Sequence, residues 1–93
     1  MHLEIVSPEA TLFSGDVTSV TVPGTDGEFQ MLDNHAPIVS LLEKGTVKIK
    51  GNVNIKEAFK SKFKQGKEPN ELLLAIQSGT LEMKDNKVII LAD

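Results

Sequence analysis

Four side chains able to move a proton or hold a metal fall within ten residues of one another: Asp26, Glu28, Asp33 and His35. Carboxylates and an imidazole can ligate a divalent cation or serve as general acid and base, so any chemistry in this chain would start here. The surrounding pattern argues against it. There is no pair of histidines one helical turn apart, no second histidine nearby, no glycine-rich phosphate cradle and no serine or lysine nucleophile signature. The ordinary roles of these residue types account for them: Asp26 forms a turn, Asp33 and Asn34 are loop residues that hydrogen-bond their own backbone, and His35 is a structural or interface side chain before Ala36-Pro37. The expectation is no catalytic site, no cofactor and no metal.

The elements that carry these residues read as short β-strands. Leu3 and Ile5 alternate, Pro8 breaks the run, and Thr11 to Phe13 resumes it before Gly15. Val20 and Val22 share one face with Thr18, while Val17, Ser19 and Thr21 share the other. Pro23-Gly24-Thr25-Asp26-Gly27 is a turn by composition, and Phe29 and Met31 alternate after it. Further strands are expected at Ile38 to Leu42, around Val47 and Ile49, at Leu72 to Gln77, at Thr80 to Lys84 and at Lys87 to Leu91, with Asp85-Asn86 as a tight connection. Many short strands at close, even spacing imply a β-sandwich or barrel.

One segment, the Lys-rich excursion at about 51–70, breaks the pattern. Asn54-Ile55-Lys56-Glu57 fits a helix N-cap with an acid three residues on, Ile55, Phe59 and Phe63 recur every four residues, and Gly66 is placed to close the last turn. A period-two reading competes, because Val53, Ile55, Phe59 and Phe63 are odd while Lys56, Lys60, Lys62 and Lys64 are even. Capping and the lysines of the last turn favour a short amphipathic helix near 55–65, with Phe59 and Phe63 pinning it to the core.

Ninety-three residues, 40% apolar and 25% charged, allow one soluble domain with one modest core. The absence of cysteine removes disulfides and thiolate sites and fits a reducing cytoplasm. The longest apolar runs, Leu72 to Ile76 and Val88 to Ala92, are far short of the ~20 residues that span a bilayer, so membrane attachment is expected only through a partner. Strand-like alternation from Leu3 argues against a leader peptide. The net charge of −3 conceals a division: residues 1–43 carry seven acids and no lysine or arginine, and residues 44–67 carry eight lysines and only Glu57. That is either two solvated sides or two docking faces of opposite sign. With no arginine and four phenylalanines as the only aromatics, nucleic-acid binding is a weak reading.

The run FSGDVTSVTVPGTDGEFQMLDNHAPI from Phe13 to Ile38, preceded by HLEIVSPEATL and closed by SGTLEMKDNKVIILAD, resembles the amino-terminal β-domain of the epsilon subunit of bacterial F-type ATP synthases. The segment from Gly51 to Asn70 departs from the usual pattern, being longer and richer in lysine. The resemblance implies a mainly β fold, a small sandwich of about ten short strands in two sheets, filling residues 1–93 as a single domain. It also implies a non-catalytic subunit at the foot of the central stalk of a proton-translocating rotary ATP synthase. Such a subunit links the gamma subunit to the membrane c-ring as a monomer within the complex, on the cytoplasmic face of the bacterial inner membrane. The family's Gly-x-x-Gly-Glu turn, here Gly24 to Glu28, makes Glu28 the implied c-ring contact, with Asp26 and Gly27 beside it. The His-Ala-Pro loop, here His35-Ala36-Pro37, leads into the gamma-facing side, which Ile38 and Ser40 join. Many members continue into a helical hairpin beyond the point where this chain stops, Asp93, so coupling without the inhibitory hairpin is the expected role. The alternative is an unrelated small β-sandwich adaptor or ligand-binding module.

Overall fold

Apolar alternation and turn chemistry set the strands, which a computed structural model describes over residues 1–93. They are β1 (His2–Val6), β2 (Thr11–Asp16), β3 (Ser19–Gly24), β4 (Gly27–Leu32), β5 (Ile38–Leu42), β6 (Gly45–Lys50), β7 (Phe63–Gln65), β8 (Glu71–Ile76), β9 (Gly79–Lys84) and β10 (Lys87–Ala92). They follow one hydrogen-bonded path, β2-β1-β10-β9-β5-β3-β6-β8-β7, with β4 paired to β3 as a branch. Only β1 and β10 run parallel.

The path bends at β3. Its first half pairs β6 through Ser19, Val20 and Thr21, whereas it meets β5 through a single pair, Gly24 with Leu42. That joint divides the curled sheet into two layers, β2-β1-β10-β9-β5 and β4-β3-β6-β8-β7, the two sheets expected of a sandwich. Backbones approach closely there: a Cβ on Gly24 would lie 2.8 Å from the Phe29 ring and 2.9 Å from the Gly27 carbonyl oxygen.

Inward-facing rows from both layers fill the space between them. Phe13, Ile5, Ile90, Leu81 and Ser40 lie side by side across the first layer. Met31, Val20, Ile49 and Leu72 do so across the second. Nineteen apolar residues form one buried cluster, and period-two patterning decides the core in most strands; β2, beside a register shift opposite Ile5 and Val6, buries the consecutive Leu12 and Phe13. Both faces of the segment from Val17 to Val22 contribute buried residues: Val17 and Ser19 are buried as well as Val20 and Val22. Val17 precedes β3, in the crossing from β2, where its N–H donates to the Met1 carbonyl. The β9–β10 hairpin closes through Asp85 and Asn86 alone, at φ of 51° and 60°, the double left-handed geometry that lets a two-residue turn follow the strand twist.

The short helix expected near 55–65 is present, with different bounds and type. Only Glu57–Lys62 is helical, and it is a 3₁₀ helix preceded by Lys56 with no side-chain cap, so Asn54 caps nothing. Phe63 does not continue the helix but opens β7 opposite Leu74, and Gly66 donates its N–H to the Glu71 carbonyl in the β7–β8 connection. Phe63 is buried and Phe59 packs on the core as expected. The segment lies by the two ends of the strand path: Asn54 and Lys56 line a groove with β2, and Lys62 lines one with Leu12 and Leu74.

Candidate functional site

The β3–β4 hairpin turns through Thr25 and Asp26, with Gly24 and Gly27 as the last pair. Neither turn residue has positive φ; the left-handed step falls on Gly27, at φ 121°, where a side chain would be strained. Asp26 is therefore held at the tip, fully exposed, and Glu28 is the second residue of β4. Glu28 is not free. Its carboxylate lies 3.4 Å from Lys48 Nζ on β6, across the intervening β3. Nothing in the local sequence signals this pair, because the partners meet only through the pairing of two sheet neighbours with β3.

At the other end of β4, Asp33 to Pro37 form the loop into β5. Asn34 has φ 62°, the His35 N–H donates to the Leu32 carbonyl at 3.1 Å, and the Asn34 N–H donates to Asn86 Oδ1 at 2.8 Å. Asp33 accepts from the α-amino group of Met1 at 2.7 Å. His35 is half-buried, with Nδ1 2.7 Å from the Ala36 carbonyl oxygen. A carbonyl only accepts, so Nδ1 carries the proton and a neutral ring keeps Nε2 as an acceptor. Strand β4 thus separates Asp26 and Glu28 from Asp33 and His35, by about 17 Å at ~3.4 Å per residue. The four residues that are close in sequence do not converge on one metal or one proton.

The residues expected to face gamma divide as well. In β5, Ile38 and Ser40 pair with the buried Met83 and Leu81 and are themselves half-buried, at the ends of inward rows. The outward residues are Val39 and Leu41, 77% and 64% exposed. They continue across the layer: Val39 neighbours Glu82, then Ile89 and Glu4, while Leu41 neighbours Thr80, then Leu91 and Val6. Ile89 and Leu91 are 41% and 52% exposed, so the first layer carries an apolar stripe on its outer face. An open groove of about 560 Å³ adjoins it, lined in part by Val6, Pro8, Thr25, Leu41 and Leu91. The outer face of the second layer is different: Gln30, Thr21, Lys48, Leu73 and Lys64 form its central row, and Lys48 and Lys50 are ion-paired to Glu28 and Glu68. Several large apolar side chains exposed on one face, here flanking Glu82 and Thr80, are the mark of an interaction surface.

The model of the family described as ATP synthase, Delta/Epsilon chain, beta-sandwich domain matches residues 1–93. The chain belongs to this family. It is 40% identical over its whole length to the ATP synthase epsilon chain of Campylobacter curvus, covering 60% of that protein. It is 34% identical to the ATP synthase epsilon chain of Chlorobium limicola over 98% of this chain and 86% of that one. It thus spans about 60% of the length of the Campylobacter relatives it matches. Among solved structures, a chain in the central stalk and c-ring of the Tetrahymena thermophila mitochondrial ATP synthase shares the fold. Its TM-score is 0.71 at 14% identity, with 98% of this chain and 61% of that chain covered. In this epsilon-type sandwich the acidic turn and the His-Ala-Pro loop stand at opposite ends of β4 and β5, and the apolar stripe on β5 and β10 runs between those ends. No helix is long and apolar enough to cross a membrane.

Proposed function

We propose that this domain is the non-catalytic coupling part of an epsilon subunit in the central stalk of a proton-translocating rotary ATP synthase. It docks on the gamma subunit and the c-ring at the cytoplasmic face of the bacterial inner membrane. The observation that carries the reading is the contrast between one apolar outer face and two polar ends on an epsilon-type sandwich. Gamma takes the His35-Ala36-Pro37 loop and β5, where Val39 and Leu41 supply the outward apolar contacts beside Ile38 and Ser40. The c-ring takes the opposite end, with Glu28 as the charged contact and Asp26 and Gly27 shaping the turn that presents it.

Transmitting rotation needs stiffness rather than reactivity. A close-packed core held by paired strands deforms little under load, and Pro37 restrains the backbone of the loop that meets gamma. The energy of docking comes from burying the stripe, while charge at the turn sets register and partner choice. Glu28→Lys tests the c-ring contact. In reconstituted membranes the substitution lowers proton-driven ATP synthesis more than it lowers ATP hydrolysis by the detached head. Unchanged coupling removes Glu28 from the contact.

A further inference from the structure

We propose that Asn86 is a positioning residue for the His35 loop, holding it from 52 residues away in the geometry that docks on gamma. This rests on the reading of that loop as a gamma contact. Asn86 does more than its own turn requires. A two-residue hairpin needs only a residue that tolerates positive φ at this position, which glycine would satisfy. The backbone of Asn86 is already fixed by the turn and by its carbonyl, which accepts the His2 N–H at 3.1 Å. Its side chain adds a separate link, accepting the Asn34 N–H at 2.8 Å.

That link falls where the loop is weakest. Asn34 sits at φ 62°, a left-handed conformation that asparagine tolerates but does not fix by itself, and none of the strands includes it. On the far side of His35, Pro37 restrains Ala36 without outside help. His35 is therefore presented between one self-restrained neighbour and one restrained by Asn86. Because β10 follows Asn86 directly and carries Ile89 and Leu91, the same hairpin ties the loop to the apolar stripe, so both contacts reach a partner in fixed register.

The experiment compares Asn86→Gly, Asn86→Asp and the parent by amide hydrogen exchange on the free chain and by titration with gamma. Asn86→Gly keeps the hairpin and the fold with a melting temperature lowered by no more than about 10 °C, but speeds exchange at Asn34 by up to about tenfold, the scale of one hydrogen bond, and lowers gamma affinity several-fold. Asn86→Asp keeps an acceptor oxygen and a residue at ease with positive φ, so it restores both. Unchanged exchange at Asn34 in Asn86→Gly overturns the coupling. Faster exchange with unchanged gamma affinity, while His35→Asp lowers affinity, overturns the docking role and leaves the loop as a gamma contact. If His35→Asp also leaves affinity unchanged, the loop is not a gamma contact and the docking role falls with it.

Discussion

The two outer faces of the sandwich are built on the same scaffold and have opposite characters. On the first layer, Val39 and Leu41 of β5 and Ile89 and Leu91 of β10 are exposed on either side of Glu82 and Thr80 of β9, and no cross-strand ion pair covers them. On the second, Thr21, Lys48, Lys50 and Lys64 occupy the comparable positions, and Lys48 and Lys50 are neutralised by Glu28 and Glu68. The second face is mostly polar, with Leu32 of β4 as its one large exposed apolar side chain, whereas the first exposes four. Alternation forces each strand to have an outward side; only the choice of residues there distinguishes a solvated surface from a docking surface.

The largest effect comes from breaking what the faces share. Ile90 is fully buried in the row that joins β1, β10 and β9, so Ile90→Ala costs about 2–5 kcal/mol of stability. Urea unfolding measures it, and both faces are lost together. Gly24→Ala acts next, at the single-pair joint between layers, where the new methyl meets the Phe29 ring and the Gly27 carbonyl. Overpacking there costs about 1–3 kcal/mol and disturbs the acidic turn before the stripe, which shows as chemical-shift changes concentrated at Thr25 to Glu28. The smallest effect sharpens the contrast. Lys48→Ala removes an exposed pair with Glu28 and changes stability by no more than about 1 kcal/mol. It also frees the Glu28 carboxylate, so under the proposed contact c-ring binding strengthens slightly.

Much of this was legible beforehand, and the remainder fails for identifiable reasons. The alternation of Leu3 to Ile5, the short apolar run after Lys87 and the Asp85-Asn86 turn follow from local chemistry alone. The excursion does not: the four-residue spacing of Ile55, Phe59 and Phe63 imitates an α-helix, but Phe63 is claimed by Leu74 on β8, a tertiary pairing that the segment itself cannot announce. The side of β5 that faces outward was equally hidden. Alternation offers Ile38 and Ser40 or Val39 and Leu41, and only the pairing of β5 with Leu81 and Met83 turns the first set inward. The Glu28–Lys48 and Asn34–Asn86 contacts join residues that the sheet order brings together across intervening strands and turns.

The central claim is that the apolar face of the first layer, and not the polar face of the second, meets gamma. The direct measurement is calorimetric titration of gamma with two double variants, Val39→Asp/Leu41→Asp and Lys48→Asp/Lys64→Asp, each checked for an unchanged melting temperature. Truncating or charging central interface anchors costs about 2 kcal/mol or more, so the first variant loses gamma affinity by at least roughly thirtyfold, and the second binds as the parent does. Full affinity in the Val39→Asp/Leu41→Asp variant, or an equal loss in both, would contradict the account.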